Sequence, residues 1–253
     1  MTKDKKAKIY LLLAYILAAC LLVYLWRPSY FLNIIIVYVP PSIITFYWLK
    51  KSRKKILIFA FVTTALFALP IELMARLADA WDVASIFPRM FDVAPVENLL
   101  YAFINFFWPL AFYEYFIDKD KEKNISTKWK YLIGLYCILS IAVYSLYIFN
   151  QKIIAVNYWL IGIFILIIPA ILLFNHNKKL LKKIIVPTIF FGFVFFIHEI
   201  ISLLIGHWWW PGQYLIPLNI NGIIFPLDDV IIWYILSTPV LIGGYEFFVD
   251  NDR

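Results

Sequence analysis

Two adjacent carboxylates, Asp228 and Asp229, stand at the mouth of a long apolar run in "FPLDDVIIWY", and no further charge follows until Glu246. A carboxylate in or beside hydrocarbon is costly unless it is paired, protonated or wet. Kept neutral, such a group is a proton donor, and an ionised neighbour is an acceptor. The chemistry open to the pair is therefore acid–base chemistry on an apolar molecule. Other acids share the setting: Glu72 and Glu199 lie late in apolar runs, and Glu97 follows a proline in "PVEN". Each has a plainer structural role to weigh. Acids in a first helical turn suit the helix dipole and cap free N–H groups, and a preceding proline belongs at a helix start. Glu72 has Arg76 at i+4 as a partner on its own helix face. Glu199 has no basic residue three or four positions away, so it needs a partner elsewhere or a proton of its own.

The elements that must position these acids are membrane helices. The chain of 253 residues is 64% hydrophobic, 20% aromatic and 15% charged, with mean hydropathy +0.82. A soluble core could not hide so much apolar surface. Apolar stretches long enough to span a bilayer fall at 9–26, 30–49, 56–78, 96–117, 131–149, 153–174, 184–206 and 228–249. The first has no small-residue cleavage site after it and is expected to be an uncleaved helix. Net charge +7 does not point to nucleic acid. All Lys and Arg except Arg27, Arg76, Arg89 and Lys152 lie in the termini and in the connections 50–55, 118–130 and 175–183. That is the positive-inside pattern, which predicts a multi-pass protein of the cell membrane with both termini cytoplasmic. Basic runs such as "KKSRKK" are expected to touch anionic lipid. Glu114 and Glu246, beside Asp118 and Asp250, are expected at the cytoplasmic interface. Cys20 and Cys137 lie inside apolar spans and read as packing residues, with neither a disulfide nor a metal site expected.

The chain is written twice. A shift of 128 residues superposes Tyr30 on Tyr158, Leu32 on Leu160, Pro41 on Pro169 and the Lys-Lys-Ile of 54–56 on that of 182–184. Glu72 is nine residues before Trp81, and Glu199 nine before Trp208. "PVEN" at 95–98 matches "PLDD" at 226–229, and "YEYFID" at 113–118 matches "YEFFVD" at 245–250. The expected fold is an all-α integral membrane protein: eight transmembrane helices as two tandem same-orientation four-helix repeats. The repeats are 1–118 and 131–253, joined by a basic linker at 119–130.

Much chemistry lacks its residues here. His176, His198 and His207 are too few for the histidine clusters of membrane di-iron enzymes, and no G-x-G-x-x-G supports a flavin or nicotinamide. No aspartate-rich D-x-x-x-D pair speaks for diphosphate and magnesium. No cofactor and no metal is expected. Acids, aromatics and lipid remain. The aromatics that could wall a site facing the outer leaflet are Trp81, Tyr101, Trp208, Trp210, Tyr214 and Trp233.

At these residues the chain resembles the lycopene cyclase domain family, the membrane-embedded, heterodimer-type carotenoid cyclases. The units 30–118 and 158–250 each carry that family's three-helix layout, the second more closely: "IPAILLFNHNKKLLKKI", Glu199, "GHWWWPGQYL" and "FPLDDVIIWYILSTP". The family's Pro-x-Glu-Glu-like motif is here "PVEN" and "PLDD", and its Trp-Asp pair is replaced at His198–Glu199 and Ile71–Glu72. The resemblance implies a lipophilic isoprenoid or carotenoid substrate and an acid-initiated cyclisation without redox change. Glu97 and Asp228 would be the equivalent acid/base groups, supported by Glu72, Glu199 and Asp229. A non-catalytic lipid or carotenoid binder is the alternative. A transporter is disfavoured, because the charges lie at helix ends rather than at the midplane.

The topology is testable directly. In Asn124→Cys, a membrane-impermeant thiol reagent should label the linker only after the cytoplasmic face is opened; labelling of intact cells would reverse the orientation.

Overall fold

The computed structural model describes residues 2–121, 124–155, 158–220 and 222–250. Among the described residues, seven helices are long and apolar enough to cross a membrane: α1 (Lys3–Trp26), α2 (Tyr30–Trp48), α3 (Arg53–Leu77), α5 (Trp129–Phe149), α6 (Trp159–His176), α7 (Leu180–Leu204) and α8 (Leu227–Phe248). Between α3 and α5 lies α4 (Val96–Phe112), which runs on through a wider π turn, Tyr113–Asp118. The protein is thus an all-α membrane-type bundle. Long helices suit such sequence because hydrocarbon leaves no water for backbone groups, so each N–H and C=O must pair inside its own segment. Termini use local devices. Ser29 Oγ accepts from Leu32 N at 3.4 Å to start α2, and Arg27 ends α1 in a left-handed conformation before Pro28.

Prolines inside these helices free carbonyls, and neighbouring helices supply the missing donors. Pro40 cannot donate to Ile36, whose carbonyl instead accepts Tyr15 Oη of α1 at 2.7 Å. Pro70 likewise leaves the Leu66 carbonyl, which accepts Ser140 Oγ of α5. A break in one helix therefore becomes a tie to the next.

The end of the bundle holding residues 77–96 and 205–227 is closed by short antiparallel ladders rather than by helix. Asp82–Val83 pairs with Trp208–Trp209, Arg89–Met90 with Ala94–Pro95, and Pro217–Ile220 with Ile223–Pro226. The first ladder joins the two connections, with Asp82 opposite Trp209. At the opposite, basic end, Glu114 and Glu246 are buried in an ionic cluster. Lys55 Nζ lies 3.1 Å from both Glu114 Oε1 and Asp250 Oδ1, and Lys183 Nζ lies 2.9 Å from Asp118 Oδ1 and 3.6 Å from Glu246 Oε2. The Tyr245 hydroxyl donates to Glu114 at 2.6 Å, and that of Tyr113 donates to Glu246. Ammonium and phenol donors take the place of water, which is why these acids tolerate burial. The contacts are reciprocal: exchanging Lys55 with Lys183, Tyr113 with Tyr245, Glu114 with Glu246 and Asp118 with Asp250 reproduces the set.

Removing one side of such a buried pair leaves uncompensated charge. Lys55→Met should destabilise the protein by about 3–5 kcal/mol, read as a lowered melting midpoint in detergent. The triple change Lys55→Met, Glu114→Gln, Asp250→Asn removes charge from both sides and should recover much of the loss. A triple variant no more stable than the single one would contradict this account.

Candidate functional site

The ladder end gathers the predicted acids in two layers. In the inner layer, Glu72 near the end of α3 is almost wholly buried. Its Oε1 accepts Asn98 Nδ2 at 2.8 Å and its Oε2 accepts Trp81 Nε1 at 3.1 Å. The Asn98 carbonyl accepts the Tyr30 hydroxyl at 2.9 Å, so the amide is oriented from both ends. Arg76 is not the partner of Glu72 that its spacing suggests. Its guanidinium reaches Asp82 Oδ1 at 2.7 Å and bonds the Trp81 carbonyl, because the connection folds back over the end of α3.

Glu199 of α7 is fully buried, and its Oε1 accepts two indoles, Trp208 Nε1 at 2.9 Å and Trp210 Nε1 at 3.0 Å. The Tyr234 hydroxyl faces the same carboxyl, and Asp229, also buried, stands close enough to act on it electrostatically. The nine-residue spacing from Glu to Trp thus has one meaning in both parts of the chain. It is the length over which the chain leaves the helix and returns an indole N–H to the acid. Asn98 and Asp229, both following an acid that follows a proline-x pair, occupy corresponding places beside Glu72 and Glu199.

Glu97 and Asp228 form the outer layer. Both are buried, but each is engaged by its own connection. Glu97 Oε1 accepts the N–H groups of Ile86 and Phe87 at 2.7 and 3.1 Å, and its Oε2 accepts Ser85 Oγ at 2.7 Å. Asp228 accepts the N–H groups of Leu215 and Ile216 at 3.5 and 3.4 Å. They fasten loops over the inner acids.

The six predicted aromatics surround the inner layer. Trp81 meets Trp210 and Trp233 edge-on, with ring centroids 6.3 and 5.9 Å apart, forming a wall between Glu72 and Glu199. Tyr101 stacks on His198 at 5.7 Å and meets the edge of Trp208 at 5.7 Å. Tyr214 packs on Trp210, accepts the Gly212 N–H at 2.9 Å and donates to the Ala80 carbonyl at 2.6 Å. A side chain at Gly212 would place its Cβ 2.7 Å from the Asp79 carbonyl, so this crossing of the two connections requires glycine.

Several polar residues here escaped the sequence reading. Asn98 was visible only as the last letter of "PVEN". Asn33 Nδ2 contacts His207 Nδ1 at 2.8 Å and Ser202 Oγ at 3.1 Å, while His207 Nε2 faces the Pro28 carbonyl at 2.8 Å. A carbonyl only accepts, so Nε2 carries the proton and Nδ1 accepts from the amide. Burial lowers the His207 pKa, in keeping with this neutral ring. No spacing rule announces such a contact between α2 and a distant connection.

Two adjoining apolar clefts, of about 350 and 490 Å³, lie along α3 and α4; Phe61 and Phe103 line both, and no acid lines either. Comparison with protein-family models, with curated proteins and with solved structures finds no match.

Asp82 ties the connection shut. Arg76 and Arg89 bond its Oδ1 at 2.7 and 2.9 Å. Burial works against its charge, but the two guanidinium hydrogen bonds outweigh that and hold the carboxyl below its usual range. A depressed folded-state value gives stabilisation that is complete above the unfolded value, about 3.9, and lost as pH falls through the lower folded one. Asp82→Asn should therefore loosen residues 82–90 at neutral pH, read as faster amide exchange corrected for intrinsic rates. Wild type should loosen similarly only below about pH 4; equal protection in the variant would remove Asp82 from this role.

Proposed function

We propose that this chain is a multi-pass protein of the cell membrane, with cytoplasmic termini, built from two same-orientation four-helix halves. It cyclises an end of a lipophilic isoprenoid, such as that of lycopene, by proton transfer without redox change. The observation that carries the reading is Glu199 and Asp229 together in an apolar, tryptophan-walled interior. Two carboxyls that feel each other's charge in a dry interior are more stable when one of them carries a proton. That supplies both an acid and a base.

The reaction then balances internally. A carboxyl proton adds to a terminal alkene, forming a C–H bond and a tertiary cation. The neighbouring double bond attacks, forming the ring C–C bond and moving the positive charge into the ring. A carboxylate removes a ring proton to leave a new C=C bond, so the product is an isomer of the substrate and the proton count is restored. Faces of Trp81, Trp210 and Trp233 suit the passing cation through their ring quadrupoles. On this reading Asp228 and Glu97 hold the connections while Glu199 and Asp229 exchange protons. Glu72, whose partner is the amide of Asn98, belongs to a half that has kept the shape and lost the second carboxyl.

A second reading is a non-catalytic binder of the same lipids. It is favoured by the position of the apolar clefts on α3 and α4, away from the acids.

Expression in a lycopene-accumulating host separates the two. Cyclic carotenoids are expected, and untouched lycopene would favour the binder. Glu199→Gln and Asp229→Asn should each lower cyclisation about 10²–10⁴-fold, the usual worth of positioned proton transfer. Glu97→Gln should act through stability, costing roughly 1–3 kcal/mol for donors left unpaired. Near-normal turnover in both inner-layer variants would rule out this assignment.

A further inference from the structure

The two connections at the ladder end differ in charge. Residues 78–95 carry Asp79, Asp82, Arg89 and Asp92, whereas no charged residue stands between Glu199 and Asp228. That uncharged stretch nevertheless exposes large apolar side chains: Leu215 is 62% exposed, Ile216 47%, Leu218 37% and Ile224 48%. Single exposed hydrophobes are ordinary, but a group of them in a stretch without charge marks an interaction surface. Part of the group lies on the hairpin formed by Pro217–Ile220 and Ile223–Pro226. A lone two-stranded hairpin is marginal in water, so this one needs support beyond its own ladder.

Its position says where that support lies. Cross-strand partners share a face, so Phe225 and Leu218 form one face of the hairpin, and Ile224 and Asn219 the other. Phe225 is buried, with its ring centroid 6.0 Å from that of Phe196 on α7. Phe196 lies about two turns, roughly 12 Å, before the end of α7. The foot of the hairpin therefore stands against the flank of α7, not beyond its end. It is fixed there by the Leu227 N–H, which donates to the Ile216 carbonyl at 2.9 Å, and by Asp228, which accepts from Leu215 and Ile216. The same helix turns Ile189, Phe193 and Phe196 outward, as a helix in contact with acyl chains does. Ile224 faces away from α7 and is left to the surroundings of the bundle. Open strand edges do not enter hydrocarbon, because their outer N–H and C=O groups find no partner there. A shallow seat satisfies both demands: side chains reach acyl chains, while strand edges reach water and headgroups.

We propose that this hairpin, with Leu215 and Ile216, is a membrane-contact surface seated in the interfacial layer of the leaflet at the ladder end. Leu218 and Ile224 lie against acyl chains there. The surface goes beyond the chemistry proposed for the acids and does not depend on it.

Leu218→Cys and Ile224→Cys, each carrying a fluorophore, would be reconstituted as full chains in phosphatidylcholine vesicles containing nitroxide-labelled lipid. Gln151→Cys, exposed in the turn after α5, serves as the aqueous control. Labelling of the unsubstituted chain accounts for Cys20 and Cys137. Both hairpin probes should be quenched several-fold more by lipid nitroxide than the Gln151 probe, and more by a shallow nitroxide than by one deep in the acyl chain, as for an interfacial segment. Aqueous iodide should show the reverse order. If either variant does not fold, Leu215→Cys takes its place. Iodide quenching of the hairpin probes equal to that at Gln151 would overturn the surface. Shielding that fades as the protein is diluted in lipid would overturn it too, and would mark a second copy of the chain as the occupant.

Discussion

A carboxylate inside an apolar bundle has no water to hold it, and the donors that replace water determine what it can do. The two ends of this bundle answer the demand differently. At the basic end, the donors include ammonium groups: Lys55 against Glu114 and Asp250, and Lys183 against Asp118 and Glu246. A cation at that distance favours the ionised acid, against the burial that opposes it. At the ladder end, the donors on Glu72 and Glu199 are indoles and an amide. An indole N–H donates to a carboxyl oxygen whether or not the group carries a proton. These acids are held in place without being held in one protonation state, which is the freedom that proton transfer requires.

The same constraint shapes the backbone around them. Each inner acid lies near the end of a helix whose chain must leave, turn and bring a tryptophan back nine residues later. Such a return needs non-helical backbone, and non-helical backbone needs partners of its own. The ladder between Asp82–Val83 and Trp208–Trp209 supplies some of them, each connection satisfying the other. Glu97 and Asp228 supply others, accepting loop N–H groups from the first turns of α4 and α8. Loop anchor and inner acid are therefore successive steps of one construction.

Much of this was legible in the sequence. Apolar run lengths place the seven long apolar helices, and the Glu-to-Trp spacing marks a contact that the structure makes twice. Direction was harder to read. "PVEN" and "PLDD" do not say which of two neighbours faces inward, because consecutive helical residues point about 100° apart and the entry angle of the chain decides. Arg76 illustrates a second limit. Its i+4 spacing to Glu72 is genuine, but Asp82 competes for the guanidinium once the connection folds back, and local spacing cannot weigh a partner brought by tertiary structure. The ion pairs of Glu114 and Glu246 were not legible either, because their lysine partners are remote in sequence.

The difference between the two inner acids follows from a single position. Asn98 and Asp229 stand beside Glu72 and Glu199 respectively, and an amide differs from a carboxyl there in one decisive respect. Asn98 spends its NH₂ on Glu72 and its carbonyl on Tyr30, so both of its faces are committed and neither can take up a proton. That arrangement steadies Glu72 without a second charge to neutralise. Asp229 cannot donate to Glu199 unless it carries a proton, and without one the two buried charges oppose each other. Beside Glu72 the cost of burying a second acid does not arise, because an amide stands there. Beside Glu199 the neighbour is itself a carboxyl, and two buried carboxyls are hard to justify as packing alone. On the proposed reading, that pair of buried carboxyls is what a substrate alkene would meet, whereas Asn98 closes the hydrogen-bond chain around Glu72 with groups that transfer no proton.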